Sequence, residues 1–534
     1  MSFKAVAQCG AGGITFSSQS DINNFTTNYP LCTQILGPVT IEGANIANLN
    51  GLSVLTYISG SLTIKNNPAL TDISGLSGAG AGYVLTIYNN DMLTNLTGLS
   101  NIGPGLQALE IENNDALTSI SALSGISSVG NIVISGNPLL STLAGLSGIS
   151  GSVGYLGIIN NANLTTIAAL SGITSVGSTF TIDNNDALTN LTGLSGMTSV
   201  GGFGLHIQNN AALTNVSALS ALTTVSNHII ISANPALTSL SGFSALTSVG
   251  GEFNIENNDA LPNLTGLAGI TTLPSAFRII SNDVLTNVAA MSNLTTVGSH
   301  FVIWNNPALT SLSGFSALTS VGGEFHIENN DALPNLTGLS GITTLPSAFR
   351  IISNDVLTNV AAMSNLTTIG SHFVIWNNPA LTSLTGFSAI TSIGGEMYIR
   401  ENQVLTSLSG LSGLTSLGGG MNILLNPALA SITGLSGITG ALDFITIRGN
   451  DALISLAGLA GITAIDGGID ISYNATLASI AGLSGITGSL DYLYIVANIV
   501  PSLSGLSGIT SITGDLSIRG TKVTNLCTRR TVSA

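Results

Sequence analysis

The chain has 534 residues, of which only 7% are Asp, Glu, Lys or Arg, where a soluble domain usually carries about 25%. Its 25 acids face 10 bases, giving a net charge of −15 and a pI near 4.4. That balance excludes a nucleic-acid binder, which needs clustered Lys and Arg for phosphate contacts. The 44% of hydrophobic residues excludes a disordered chain. The mean hydropathy of +0.52 would suit a membrane protein, yet no run of about 18 apolar residues occurs to span a bilayer as a helix.

Residues 1–8 end in Ala5-Val6-Ala7. This small-residue pattern reads as the remnant of a secretory signal whose long apolar core is missing. Residues 9–40 form an N-terminal cap. Within it, Ser20 to Phe25 opens a short helix capped by Ser18 or Ser20. Cys9 and Cys32 flank the segment, and a disulfide between them would staple the cap over the end of the core. Two free thiols are the alternative. Cys527 is left over, either free or pairing between molecules.

Residues 41–520 are one repeat. In the unit that starts at Phe253, apolar residues recur at Ile255, Leu261, Leu264, Leu267, Ile270 and Leu273, and Phe277 opens the next unit. An Asn column runs from Asn67, Asn90 and Asn114 through Asn258, Asn306 and Asn378 to Asn498, mostly 24 residues apart. Apolar residues every third position drift around a helix instead of holding one face. The F-x-I segment alternates like a short strand, and paired glycines such as Gly250-Gly251 permit a tight bend into it. Each unit is thus one coil, and the chain reads as an all-β, single-domain parallel solenoid of about twenty coils. Asn turned inward pairs with backbone groups that the bend leaves unsatisfied, so stacked coils give an Asn ladder. Residues 236–307 recur as 308–379, with His326 for Asn254, Ser340 for Ala268 and Ile369 for Val297. Whole coils insert into a solenoid without disturbing its ends. Residues 521–534 are a C-terminal tail.

The coil pattern, with the run Cys9, Ile14-Thr15-Phe16, Asp21-Ile22, Phe25, Tyr29-Pro30, Cys32 and Ile35, resembles bacterial surface proteins built of leucine-rich, receptor L-domain-like repeats. The resemblance covers about residues 9–520. It implies a secreted or cell-surface protein for adhesion, recognition or scaffolding, and brings no catalytic motif.

The search for chemistry is mostly negative, and no enzyme, catalytic residue or cofactor site is expected. His206, His228, His300, His326 and His372 show no metal-ligand spacing, and the G-L-S-G strings are repeat turns, not nucleophile elbows. Acids recur in E-N-N-D turns, as at Glu112 and Asp115, where calcium would find oxygen ligands; Pro or Ala replaces the Asp in many coils. N-x-S/T sequons such as Asn95, Asn190, Asn263 and Asn335 arise from the repeat and imply glycans only in a eukaryotic source.

Two surfaces carry the functional expectations. On the strand face, Ile280, Val302 and Trp304, repeated as Ile352, Val374 and Trp376, read as exposed apolar patches, with Tyr398 and Tyr494 in the column of Val302 and Val374. Such patches mark interaction surfaces. The copies lie three coils apart, roughly 14 Å at the strand spacing. The partner would be a protein or glycan at a surface, or another copy of the chain, with filaments or layers as an extension. On a second surface, Thr247, Thr271, Thr295, Thr319, Thr343, Thr367 and Thr391 form a file that resembles the binding face of ice-binding proteins, the alternative function.

Overall fold

In a computed structural model, residues 7–523 are described. Residues 1–6 and 524–534 lie outside them, and with them most of the expected signal remnant, most of the expected tail and Cys527. The chain divides into two compact units. Among the described residues, the first runs to residue 261 and takes in 265–269, and the second takes in 262–264 and continues from 270. Both are built from the same coil.

One coil of the second unit shows how the sequence sets the structure. Strand Phe301–Trp304 buries Phe301 and Ile303 and turns Trp304 out, as a period of two requires. Asn305 then takes a left-handed conformation, φ 57°, and reverses the chain. Asn306 enters the interior, and Leu309 and Leu312 carry the chain across the second side. A 3-10 turn, Ser313–Phe315, packs Phe315 against the core, and the short strand Ser320–Val321 closes the loop. All these apolar side chains are at most 1% exposed.

In the first unit, strands from Ile14–Phe16 to Phe253–Glu256 form a parallel ladder, each pairing with the next coil, as Ile64 with Ile87 and Ile231 with Ile255. The ladder already begins within residues 9–40, because Ile14-Thr15-Phe16 has the same alternation and pairs with Val39–Ile41. In the second unit the ladder runs from Phe277–Ile280 to Leu516–Arg519, with pairs such as Ile303 to Ile327 and Ile375 to Ile399. This is an all-β parallel solenoid, as the period predicts. No described helix is long and apolar enough to cross a membrane.

Residues 9–40 hold a short helix and a disulfide. Ser18 caps helix Gln19–Asn23, accepting from the Asp21 amide. Asp21 accepts in turn from the Ser17 amide at 2.9 Å, and these hydrogen bonds hold its carboxyl below the usual range. Ile22 and Phe25 are fully buried, with Phe25 edge-on to Phe16. The Cys9–Cys32 disulfide is formed.

The Asn ladder is nearly water-free: its members are 0–2% exposed. Asn306 Nδ2 donates to Ile279 O at 3.0 Å and to Trp304 O at 3.0 Å. Its Oδ1 accepts from the Asn282 backbone amide and side chain, both at 3.2 Å. Each Asn therefore satisfies carbonyls and an amide that the reversal would strand. In the second unit a stack of rings reinforces the strands: Phe301, Phe325, Phe349 and Phe373 lie nearly parallel, with centroids 5.2 to 5.7 Å apart.

Candidate functional site

The strand ladder carries outward side chains in two columns whose neighbours are fixed by register. In the second unit one column runs Arg278, Val302, His326, Arg350, Val374, Tyr398. The other runs Ile280, Trp304, Glu328, Ile352, Trp376, Arg400 and on through Leu424, Arg448, Ser472 and Val496 to Arg519.

The expected apolar patches are corrected here. Trp304 and Trp376 are exposed, at 42% and 39%, but Ile280, Val302, Ile352 and Val374 are only 7–9% exposed. Stacked strands lie about 4.8 Å apart, so a short aliphatic chain between longer neighbours is covered by them. Val374 lies between Arg350 and Tyr398, and Ile352 between Glu328 and Trp376. What faces solvent is a Trp edge framed by charged and aromatic groups over an aliphatic floor. Around the second Trp these form a shallow hollow of about 370 Å³, lined by Arg350, Ile352, His372, Val374, Trp376, Glu396 and Tyr398.

The two Trp sites share a floor but not their C-terminal neighbours. Beside Trp304 stand His326 and Glu328, joined Nε2 to Oε2 at 2.6 Å. Beside Trp376 stand Tyr398 and Arg400. The Arg400 guanidinium lies 5.3 Å from the Trp376 ring centre, and Trp376 Nε1 donates to Glu401 at 3.0 Å. That bond, then the Arg400 pair at 2.7 Å, holds the Glu401 carboxyl below its ordinary range. Burial, then the Glu396 carboxylate that its hydroxyl donates to, pushes Tyr398 up to about 12. Arg350 pairs with Glu324 at 2.6 Å. Tyr494, half-buried, donates to Asp515 at 3.0 Å well along the ladder, so the structure does not bring it to either Trp site.

Three features escaped the sequence reading. The residue before each ladder Asn is left-handed, and in three coils it is Glu401, Leu425 or Tyr473, φ 55–57°. Leu425 and Tyr473 are thereby held 44% and 48% exposed, and the Arg448 guanidinium lies 4.9 Å from the Tyr473 ring centre. The double-Asn motif was the available signal. The histidines have a backbone role: Nδ1 of His228, His300 and His372 accepts from the amide of Glu252, Glu324 and Glu396, one coil on. The sequon asparagines also have local work. Asn95, Asn190 and Asn335 accept from the amide two residues later.

The threonine file is exposed along most of its length, but its hydroxyls are committed to the coil. Thr295, Thr319, Thr367 and Thr391 each donate to the carbonyl of the previous Thr in the file, at 2.9 to 3.2 Å. Among the described residues no group of three or more His, Cys, Asp or Glu is placed to hold a metal ion.

Residues 31–146 match the family model described as Receptor L domain. A search of curated proteins finds no match. Among solved structures, an internalin from Listeria monocytogenes is 15% identical with a TM-score of 0.25, covering 93% of each chain. An LRR protein from Leptospira interrogans is 12% identical with a TM-score of 0.23, covering 89% of this chain and 87% of that one. A TLR13–ssRNA13 complex is 13% identical with a TM-score of 0.30, covering 97% of this chain and 92% of that one.

Proposed function

We propose that this receptor L-domain-like solenoid is a non-enzymatic extracellular scaffold for adhesion or recognition. Its contact surface is the outward strand face of the second unit. The observation that carries the reading is the exposure of Trp304 and Trp376 over a covered aliphatic floor, each framed by Arg, Glu, His or Tyr. Trp, Tyr and Arg dominate the energetics of protein interfaces, and a Trp pinned by Glu401 and Arg400 loses little rotamer freedom on binding. The Cys9–Cys32 bridge suits an oxidising compartment. The titratable groups of this face are engaged with one another as structural pairs: Glu324 with Arg350, Glu328 with His326, Glu396 with Tyr398. A general acid or base would instead be aimed at a substrate.

The test compares wild type with the Trp304→Ala/Trp376→Ala double variant on a panel of extracellular proteins and glycans. The reading expects at least one panel member to bind wild type and to lose roughly tenfold or more in affinity with the variant. Binders indifferent to both substitutions, or catalytic turnover of a panel glycan, would contradict it.

A further inference from the structure

The second unit carries a strip beyond the Trp376 hollow. Along one edge of its strand face stand Trp376, Arg400, Leu425, Arg448 and Tyr473, and Arg519 continues the column. The arginines lie against rings, Arg400 on Trp376 and Arg448 on Tyr473. Leu425 and Tyr473 occupy left-handed backbone that neither residue type favours. Elsewhere this position is mostly Asn, with some Ser, Gly or Ala. Strained positions that hold large side chains in solvent point to a use for those side chains.

Charge says what the strip would meet. Between residues 66 and 518 the only Lys or Arg residues are Arg278, Arg350, Arg400 and Arg448, and all lie in outward strand columns of the second unit. The first unit has no Lys or Arg from residue 66 to its end. Its corresponding column carries Glu112, Asp183 and Glu256. These acids are spaced three strands apart, Glu112 to Asp183 through Ser135 and Ile159. Asp183 reaches Glu256 through Gln208 and Ser232. Arg448 and Arg519 are also three strands apart, through Ser472 and Val496. Both ladders share one strand pitch, so charges at equal strand intervals stay in register over the whole contact.

We propose that the Trp376–Arg519 strip of the second unit docks on the acidic strand column of the first unit in another copy of this chain, with Arg448 and Arg519 facing carboxylates three strands apart. This rests on the strand face being an interaction surface and names its partner as a second copy. Arg448 is the better anchor because its guanidinium meets an aromatic ring and no carboxylate within ion-pair distance among the described residues. On the acidic side, burial and then the nearby Glu110 raise the Glu112 carboxyl above its ordinary range, so an incoming cation relieves crowded negative charge.

The experiment is sedimentation velocity of the full chain near physiological ionic strength, where the net charge is screened beyond about 8 Å and contact pairs survive. Wild type is expected to self-associate with concentration. Arg448→Glu/Arg519→Glu weakens this roughly tenfold or more, and Glu112→Arg/Asp183→Arg does the same. Mixing the two reversed variants restores association. Both sets change exposed or half-buried side chains, and coincident thermal melts by circular dichroism verify that the fold is kept. A wild type that stays monomeric overturns the proposal, as does association indifferent to either reversal or a mixture that fails to associate. A monomeric wild type whose panel binder is still lost in the Trp double variant would remove self-docking and leave the recognition reading standing.

Discussion

Asn306 is the residue on which a coil turns. Its amide nitrogen serves Ile279 O and Trp304 O, and its oxygen takes the Asn282 amide. Alanine there would strand buried backbone groups, at about 1–3 kcal/mol each. Asn306→Ala is therefore expected to cost roughly 3 kcal/mol or more in equilibrium urea denaturation. The neighbouring left-handed position behaves oppositely. Asn visits that conformation readily while Leu pays about 1–2 kcal/mol, so Leu425→Asn is expected to gain about 1 kcal/mol while weakening any association that uses the strip. A third residue-scale expectation concerns pH. Burial and then Glu110 raise the Glu112 carboxyl above its ordinary range, so the folded state holds the proton more tightly than the unfolded chain. Stability at this group is greatest below the unfolded value and falls as pH rises through the folded one. Glu112→Gln should accordingly raise the melting temperature at neutral pH, and the advantage should vanish as pH falls below about 4. The Asn ladder was legible because one amide type recurs every coil. The left-handed column beside it was not, because Leu and Tyr there look like ordinary repeat variation.

At the scale of the coil, close stacking sets what the turns accept. A Cβ on Gly314 would lie 1.8 Å from Val288 O in the preceding coil. Gly314→Ala is expected to destabilise by about 1–3 kcal/mol, the ordinary cost of overpacking, again read in urea. The cap is held separately. Its disulfide closes a loop with a sequence separation of 23, and a loop of that order is worth about 3 kcal/mol through the unfolded state. Cys9→Ser/Cys32→Ser should lose protection first in strands Ala7–Cys9 and Cys32–Ile35 by hydrogen exchange, leaving the second unit unchanged. Strand, Asn, 3-10 turn and short strand follow from the spacing of Phe301, Ile303, Asn306, Leu309 and Leu312, since burial columns are a sequence property. The start of the ladder at Ile14 was hidden because the helix Gln19–Asn23 and its loop break the period between Phe16 and Val39. The covering of Val302 and Val374 was hidden for another reason. Whether an outward valine is exposed depends on the reach of side chains on the two flanking strands, and those residues are 24 positions away.

For the whole molecule, the scarcity of charge gives the few arginines their meaning. A chain with net charge −15 keeps four of its ten bases in the outward strand columns between Arg278 and Arg448. From Glu112 to Glu256 the corresponding column of the first unit carries acids at Glu112, Asp183 and Glu256 and no base. Apolar columns and the Asn ladder supply the coil, so the placement of Arg448 and Arg519 is free to serve contact. The most direct test is hydroxyl-radical footprinting of the full chain, dilute and concentrated, with oxidation of Trp376 and Tyr473 quantified against Tyr57. Tyr57 is 41% exposed and lies in the repeat region, on a separate short sheet that begins in the cap. Protection of Trp376 and Tyr473 on concentration, with Tyr57 unchanged, is the predicted result. Equal oxidation of Trp376 and Tyr473 at both concentrations, in a sample shown to be associated, would contradict the assignment of this face as the contact surface.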